Sequence, residues 1–90
     1  MAVYVDPVQK SKRTDRWAYD TMSHLVADTL EELHAFAKRI GLRQEWFQEH
    51  EKLPHYDITE NMRALAVRRG AIEVDHRFLV KLMKKRELKK

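Results

Sequence analysis

The sequence predicts an α/β domain: a small, mostly parallel sheet of about four strands with three helices. Three observations carry this. Short apolar runs alternate with segments of helical periodicity. Each of three runs ends in an aspartate, at Val3-Tyr4-Val5-Asp6, Leu25-Val26-Ala27-Asp28 and Ile72-Glu73-Val74-Asp75. Two of the helical segments stop at the chain's only glycines, Gly41 and Gly70. Crossover helices of this length join parallel strands with right-handed connections.

The first strand is expected over residues 2–5 and ends at Pro7, which cannot donate to a ladder. Residues 8–20 read as a polar, basic loop with Trp17 and Tyr19 in it. Residues 24–27 form the next strand. Thr29 with Glu32 makes a capping-box signature, followed by Leu30, Leu33, Phe36, Ala37 and Ile40 at helical spacing. Lys38 and Arg39 suit the negative pole of that helix, and Gly41 suits its left-handed stop. A strand at 44–48 carries Trp46 and Phe47, one to each face, and residues 49–57 read as a loop. A second helix spans 59–69, with Met62, Leu65 and Ala66 inward and Gly70 as its stop. The last strand is 71–74. A third helix follows Asp75, with Phe78, Leu79, Leu82 and Met83 facing in.

Ninety residues make a single domain, 1–90, with a modest core, so a homo-oligomer or a protein partner is a reasonable expectation. No cysteine is present, which excludes disulfides and thiolate metal sites. No apolar run approaches the roughly 20 residues of a membrane span, and the first residues lack a signal-peptide pattern, so a cytoplasmic setting is expected and no membrane role. The charge is uneven. Beyond residue 75 seven bases face the single acid Glu87, so that helix carries +6 and the remainder of the chain −2. Such a helix can meet nucleic-acid phosphates, or can simply complement its own dipole.

The motifs taken together resemble a family of small bacterial and phage domains, the domain of unknown function 4031. Those motifs are Val3-Tyr4-Val5-Asp6-Pro7, Ser23-His24-Leu25 with Ala27-Asp28, Glu32-Leu33-His34 with Phe36-Ala37, Gly41-Leu42, Trp46-Phe47, His55-Tyr56-Asp57 and Gly70-Ala71. The resemblance covers residues 2–75 and implies no substrate, cofactor or catalytic residue. The helix from His76 falls outside it.

Chemistry must then be sought in the side chains. If the strands are parallel, Asp6, Asp28 and Asp75 meet at one sheet edge, where open α/β sheets bind ligands. Crowded carboxylates of this kind hold Mg²⁺, which favours metal-assisted phosphoester cleavage. Against this, Asp28 and Asp75 each precede a helix, where aspartate is a favoured cap. His55 and Asp57 sit together before the second helix, and His24 lies in or beside a strand that approaches them. Two imidazoles with Asp28 or Asp57 suit Zn²⁺ or Mn²⁺, and can also move protons near neutral pH. Arg13, Arg16, Trp17 and Tyr19 interleave bases with aromatics, as phosphate- and base-binding loops do, although Trp17 serves equally as a loop anchor. His34 reads as structural, and His50 and His76 as exposed. The few glycines exclude a Gly-rich phosphate cradle. The expected role is therefore binding of a nucleotide or nucleic acid, with metal-dependent phosphoester hydrolysis as its enzymatic form. The alternative is a phage or bacterial interaction module that inhibits a host system. Enzyme status stays open at this point.

Overall fold

The computed structural model describes residues 2–15 and 17–88. Its strands are β1 (Val3–Val5), β2 (Gln9–Lys10), β3 (Thr21–Ala27), β4 (Phe47–Gln48), β5 (His55–Ile58) and β6 (Ile72–Glu73). Its helices are α1 (Leu30–Ile40), α2 (Glu60–Arg68) and α3 (His76–Leu88), with a single 3₁₀ turn at Gln44–Trp46.

The sheet has six strands in the order β4-β5-β3-β1-β6, with β2 also on β3. Among the described residues only β1 and β6 pair in parallel; every other pairing is antiparallel. The α/β class therefore stands, but the expectation of about four, mostly parallel strands does not. Two segments are responsible, the expected loop 8–20 and the expected strand 44–48 with the loop 49–57 that follows it. Among the described residues of 8–20 there is no crossover helix. They hold β2, and the chain returns as β3 alongside β1. Residues 47–58 form the antiparallel pair β4–β5. That extra reversal turns β5 against β3. α1 and α2 do lead into strands of the same direction as those they leave, but those strands are not neighbours.

β3 is the spine. Its two-residue period sends Leu25 and Ala27 to one face and Val26 to the other. On the first face they meet Leu33, Phe36, Ala37 and Ile40 of α1 and Ala66 of α2, together with Tyr56 and Ile58 of β5. On the second face Val26 meets Leu53 and Leu79 and Leu82 of α3. The core is thus split by the sheet, with two helices on one side and one on the other.

The helix ends follow their sequence signals. The Thr29 hydroxyl accepts from the Glu32 backbone N–H at 3.2 Å and the Thr59 hydroxyl from that of Met62 at 3.1 Å. Both glycines stop their helices in the same manner. Gly41 (φ +81°) and Gly70 (φ +109°) are left-handed, and the following residues, Leu42 and Ala71, donate back to the carbonyls of Ala37 and Ala66. No described helix is long and apolar enough to cross a membrane.

Candidate metal centre

The geometry of the second sheet face follows from strand period and register. His55 and Asp57 are two residues apart on β5, so they share a face. His24 on β3 lies directly opposite Asp57. Side chains opposed in this way have Cβ atoms roughly 5 Å apart. His24, His55 and Asp57 therefore converge, and one ligand atom from each lies within 4.8 Å of the other two.

The hydrogen bonds around these residues fix where their lone pairs point. His24 Nδ1 donates to Asp6 Oδ2 at 2.7 Å, because a carboxylate can only accept. His55 Nδ1 donates to the Leu53 carbonyl at 2.9 Å. Each ring is thereby left with Nε2 on the Asp57 side. His55 Nε2 lies 3.4 Å and His24 Nε2 3.9 Å from Asp57 Oδ1. Neither contact has the geometry of a hydrogen bond, and Asp57 Oδ1 is buried without a hydrogen-bond partner among the described residues. Burial lowers the His55 pKa, but Asp57 and the Leu53 carbonyl outweigh it and hold the imidazole above its ordinary 6.5.

Asp6 stands behind this cluster. It is completely buried. Oδ2 holds the His24 ring, and Oδ1 accepts from the His24 backbone N–H at 2.6 Å. β1 and β2 both pair with β3, but the register slips by one residue between them, as at a bulge. Asp6 lies in that interruption. The Gln9 side-chain nitrogen of β2 lies 3.2 Å from the same His24 Nδ1, which cannot accept from it while it donates to the closer Asp6 carboxylate.

The three-acid edge expected from the sequence does not exist. β1 and β3 are antiparallel, so Asp28 sits at the opposite end of that pair from Asp6. There it accepts from the Ala2 N–H at 3.0 Å and the Tyr4 hydroxyl at 2.9 Å. Asp75 does lie toward the Asp6 end, since β1 and β6 are parallel. Its carboxylate caps α3 instead, accepting from the Phe78 N–H at 3.0 Å.

The aromatic loop is anchored as well as exposed. Trp17 is buried, donates from Nε1 to the Thr21 carbonyl at 3.2 Å, and packs edge-on against Tyr19 and Trp46. Tyr19 remains 44% exposed. Arg13 is paired with Asp20 through two contacts of 2.8 and 3.3 Å. Arg16 lies outside the described residues. Trp46 and Phe47 do not alternate across a strand as expected. Trp46 ends the 3₁₀ turn beside Trp17, and Phe47 packs on His34 and Tyr56. His34, read as structural, shares a 2.8 Å hydrogen bond with the Tyr56 hydroxyl and packs on Phe47.

Two residues near the centre escaped the sequence reading. Arg63 on α2 donates from Nε to the Asp6 carbonyl at 2.7 Å and pairs with Glu73 at 3.1 Å. A base next to Met62 in the inward stripe of a helix was the available signal. His50 lines the cavity beside His24 and His55. Nothing in its sequence neighbourhood marks it.

No curated protein and no solved structure matches the chain significantly. A family model does match, over residues 3–86, and so takes in nearly all of α3, which the resemblance read from sequence had left out. By that match the chain belongs to the family described as Protein of unknown function (DUF4031).

Proposed function

We propose that this domain binds a divalent transition metal through His24, His55 and Asp57 and hydrolyses a phosphoester of a nucleotide or nucleic acid. One observation carries the reading. Three acceptor atoms face a common point, and the hydrogen bonds that orient both rings put their own hydrogens elsewhere. Such a cluster can take up a cation, either a second proton on His55 or a metal ion. Ligand atoms on a shared tetrahedral ion at about 2.1 Å stand roughly 3.4 Å apart. The contacts of 3.4 and 3.9 Å are close to that spacing, while the whole set spans up to 4.8 Å, so the side chains would draw together on an ion.

The donor set narrows the metal. Two imidazoles and one carboxylate favour Zn²⁺, Mn²⁺ or Fe²⁺ over Mg²⁺, which prefers an all-oxygen shell. Asp6 and the Leu53 carbonyl act behind the ligands. They fix ring orientation and tautomer, as carboxylate–histidine pairs do around metals. A metal held by three protein atoms supplies an activated water and polarises a phosphoryl oxygen. The solvent face of α3 carries Arg77, Lys81, Lys84 and Lys85 in exposed positions, which suits the phosphates of a polyanionic substrate. The exposed Tyr19 edge beside Trp46 offers a surface on which a base can stack.

Calorimetric titration with Zn²⁺ and Mn²⁺ tests the site directly. One ion per chain is expected, with at least about 100-fold weaker binding in His24→Ala and His55→Ala. Metal binding unchanged in both variants would remove the centre. Turnover of bis(4-nitrophenyl) phosphate by the loaded protein, lost in Asp57→Asn, tests the chemistry. Salt-sensitive binding of oligonucleotides, weakened in Lys81→Glu, tests the substrate class.

A further inference from the structure

We infer that His50 supplies the hydrogen-bond donor that meets a phosphoryl oxygen of the substrate in the cavity beside the proposed metal centre; this rests on the phosphoester reading above. The cavity has a volume of about 310 Å³ and opens against His24 and His55. Its remaining wall is mostly apolar, from Val26, Leu53, Leu79 and Met83. The Nδ1 hydrogens of His24 and His55 are turned away, to Asp6 and to the Leu53 carbonyl. The nitrogens left over on those rings are the Nε2 atoms beside Asp57, and these are the ones the proposed ion would occupy.

His50 is the opposite case. Its Nδ1 accepts from the backbone N–H groups of Lys52, at 3.2 Å, and Leu53, at 3.3 Å. An imidazole nitrogen that accepts carries no hydrogen, so the ring hydrogen of His50 is on Nε2. The same turn is closed by the His50 backbone N–H on the Gln48 carbonyl at 2.9 Å. The ring is thus held by its own chain, and its centroid lies 6.1 Å from that of His55. His76, the other histidine of the cavity, makes no hydrogen bond among the described residues that would aim it. A donor fixed before the reaction, on an exposed residue that lines a mostly apolar cavity beside the proposed metal centre, acts where negative charge gathers on the transferring group.

The test separates the two ends of the ring. In His50→Asn the side-chain oxygen falls near the place of Nδ1, so the turn is kept and the Nε2 donor is lost. In His50→Gln the amide nitrogen falls near the place of Nε2, so the donor is kept and the turn contacts are lost. With Zn²⁺- or Mn²⁺-loaded protein and bis(4-nitrophenyl) phosphate, His50→Asn should lower kcat by about 10- to 100-fold. Its metal affinity and melting temperature should stay at the parent values. His50→Gln should melt earlier yet retain more of kcat than His50→Asn. An active parent with an equally active His50→Asn overturns the role of His50 alone, as does a loss that merely tracks metal affinity. A parent that binds metal but turns over no phosphoester removes the broader reading and this one with it.

Discussion

His24 is gripped from behind by a buried carboxylate and faces another in front. That places a sharp demand on Asp6. Asp6→Asn should weaken metal binding by about 10- to 100-fold without unfolding the chain, seen by competition calorimetry alongside circular dichroism. Asp6→Ala should also destabilise the fold by about 1–3 kcal/mol, because the half-buried His24 backbone N–H loses its acceptor. His55 sets the pH behaviour. Its folded pKa lies above the unfolded 6.5, a rise caused by Asp57 and the Leu53 carbonyl against the lowering effect of burial. For a base shifted upward, the added stability of the metal-free chain is fully present below 6.5 and is lost as pH rises through the folded value. A bound metal must displace that same proton, so metal affinity should climb between about pH 6 and about pH 8. A flat affinity over that range would contradict the assignment of His55 as a ligand. The sequence offered His24, His55 and Asp57 as one candidate set because strand and loop histidines near a carboxylate are chemically compatible. It could not rank them above Asp6, Asp28 and Asp75. That ranking depends on register, and register depends on which strands pair.

The elements differ in how much of themselves they carry locally. α1 is almost wholly local: cap, apolar stripe, charge gradient and glycine stop all lie within residues 29–41, and all are realised. Thr29→Ala should cost about 1 kcal/mol, since one first-turn N–H loses its acceptor. Gly41→Ala should cost about 1–2 kcal/mol, because its φ of +81° strains any residue with a Cβ, although space for that atom is free. Both are read from denaturant midpoints. The strands carry less. β2 and β4 are two residues each, and residues 55–58 contain a histidine and an aspartate in place of a simple apolar run. Strands this short are defined by the partner they bond, so residues 9–10 and 55–58 pass for loop until β3 is set beside them.

At the scale of the molecule, α3 decides whether the site face exists as a pocket. It covers Val26 and Leu53 with Leu79 and Leu82, and Leu79 also lines the cavity next to His24 and His55. Leu79→Ala should therefore cost about 2–5 kcal/mol, which in a domain of this size lowers the melting temperature by about 10 °C or more. Metal at a hundredfold excess over its dissociation constant should add about 2.7 kcal/mol in the other direction, a rise that His24→Ala abolishes. Thermal melts with and without Zn²⁺ measure both. The basic face of α3 was legible at once, since charge counts need no structure. That the same helix closes the second face was not, because its apolar positions say only that something is covered.

Local chemistry alone determined the class of fold, the three helices with their caps and stops, the charge asymmetry and the list of side chains able to hold a cation. Tertiary structure decided which of them meet. Reversing β3 against β1 separates Asp28 from Asp6, and placing β5 beside β3 brings His55 and Asp57 to His24. Strand direction is set by how connections close and which faces become buried, and that balance is a property of the whole chain that no short stretch of residues encodes.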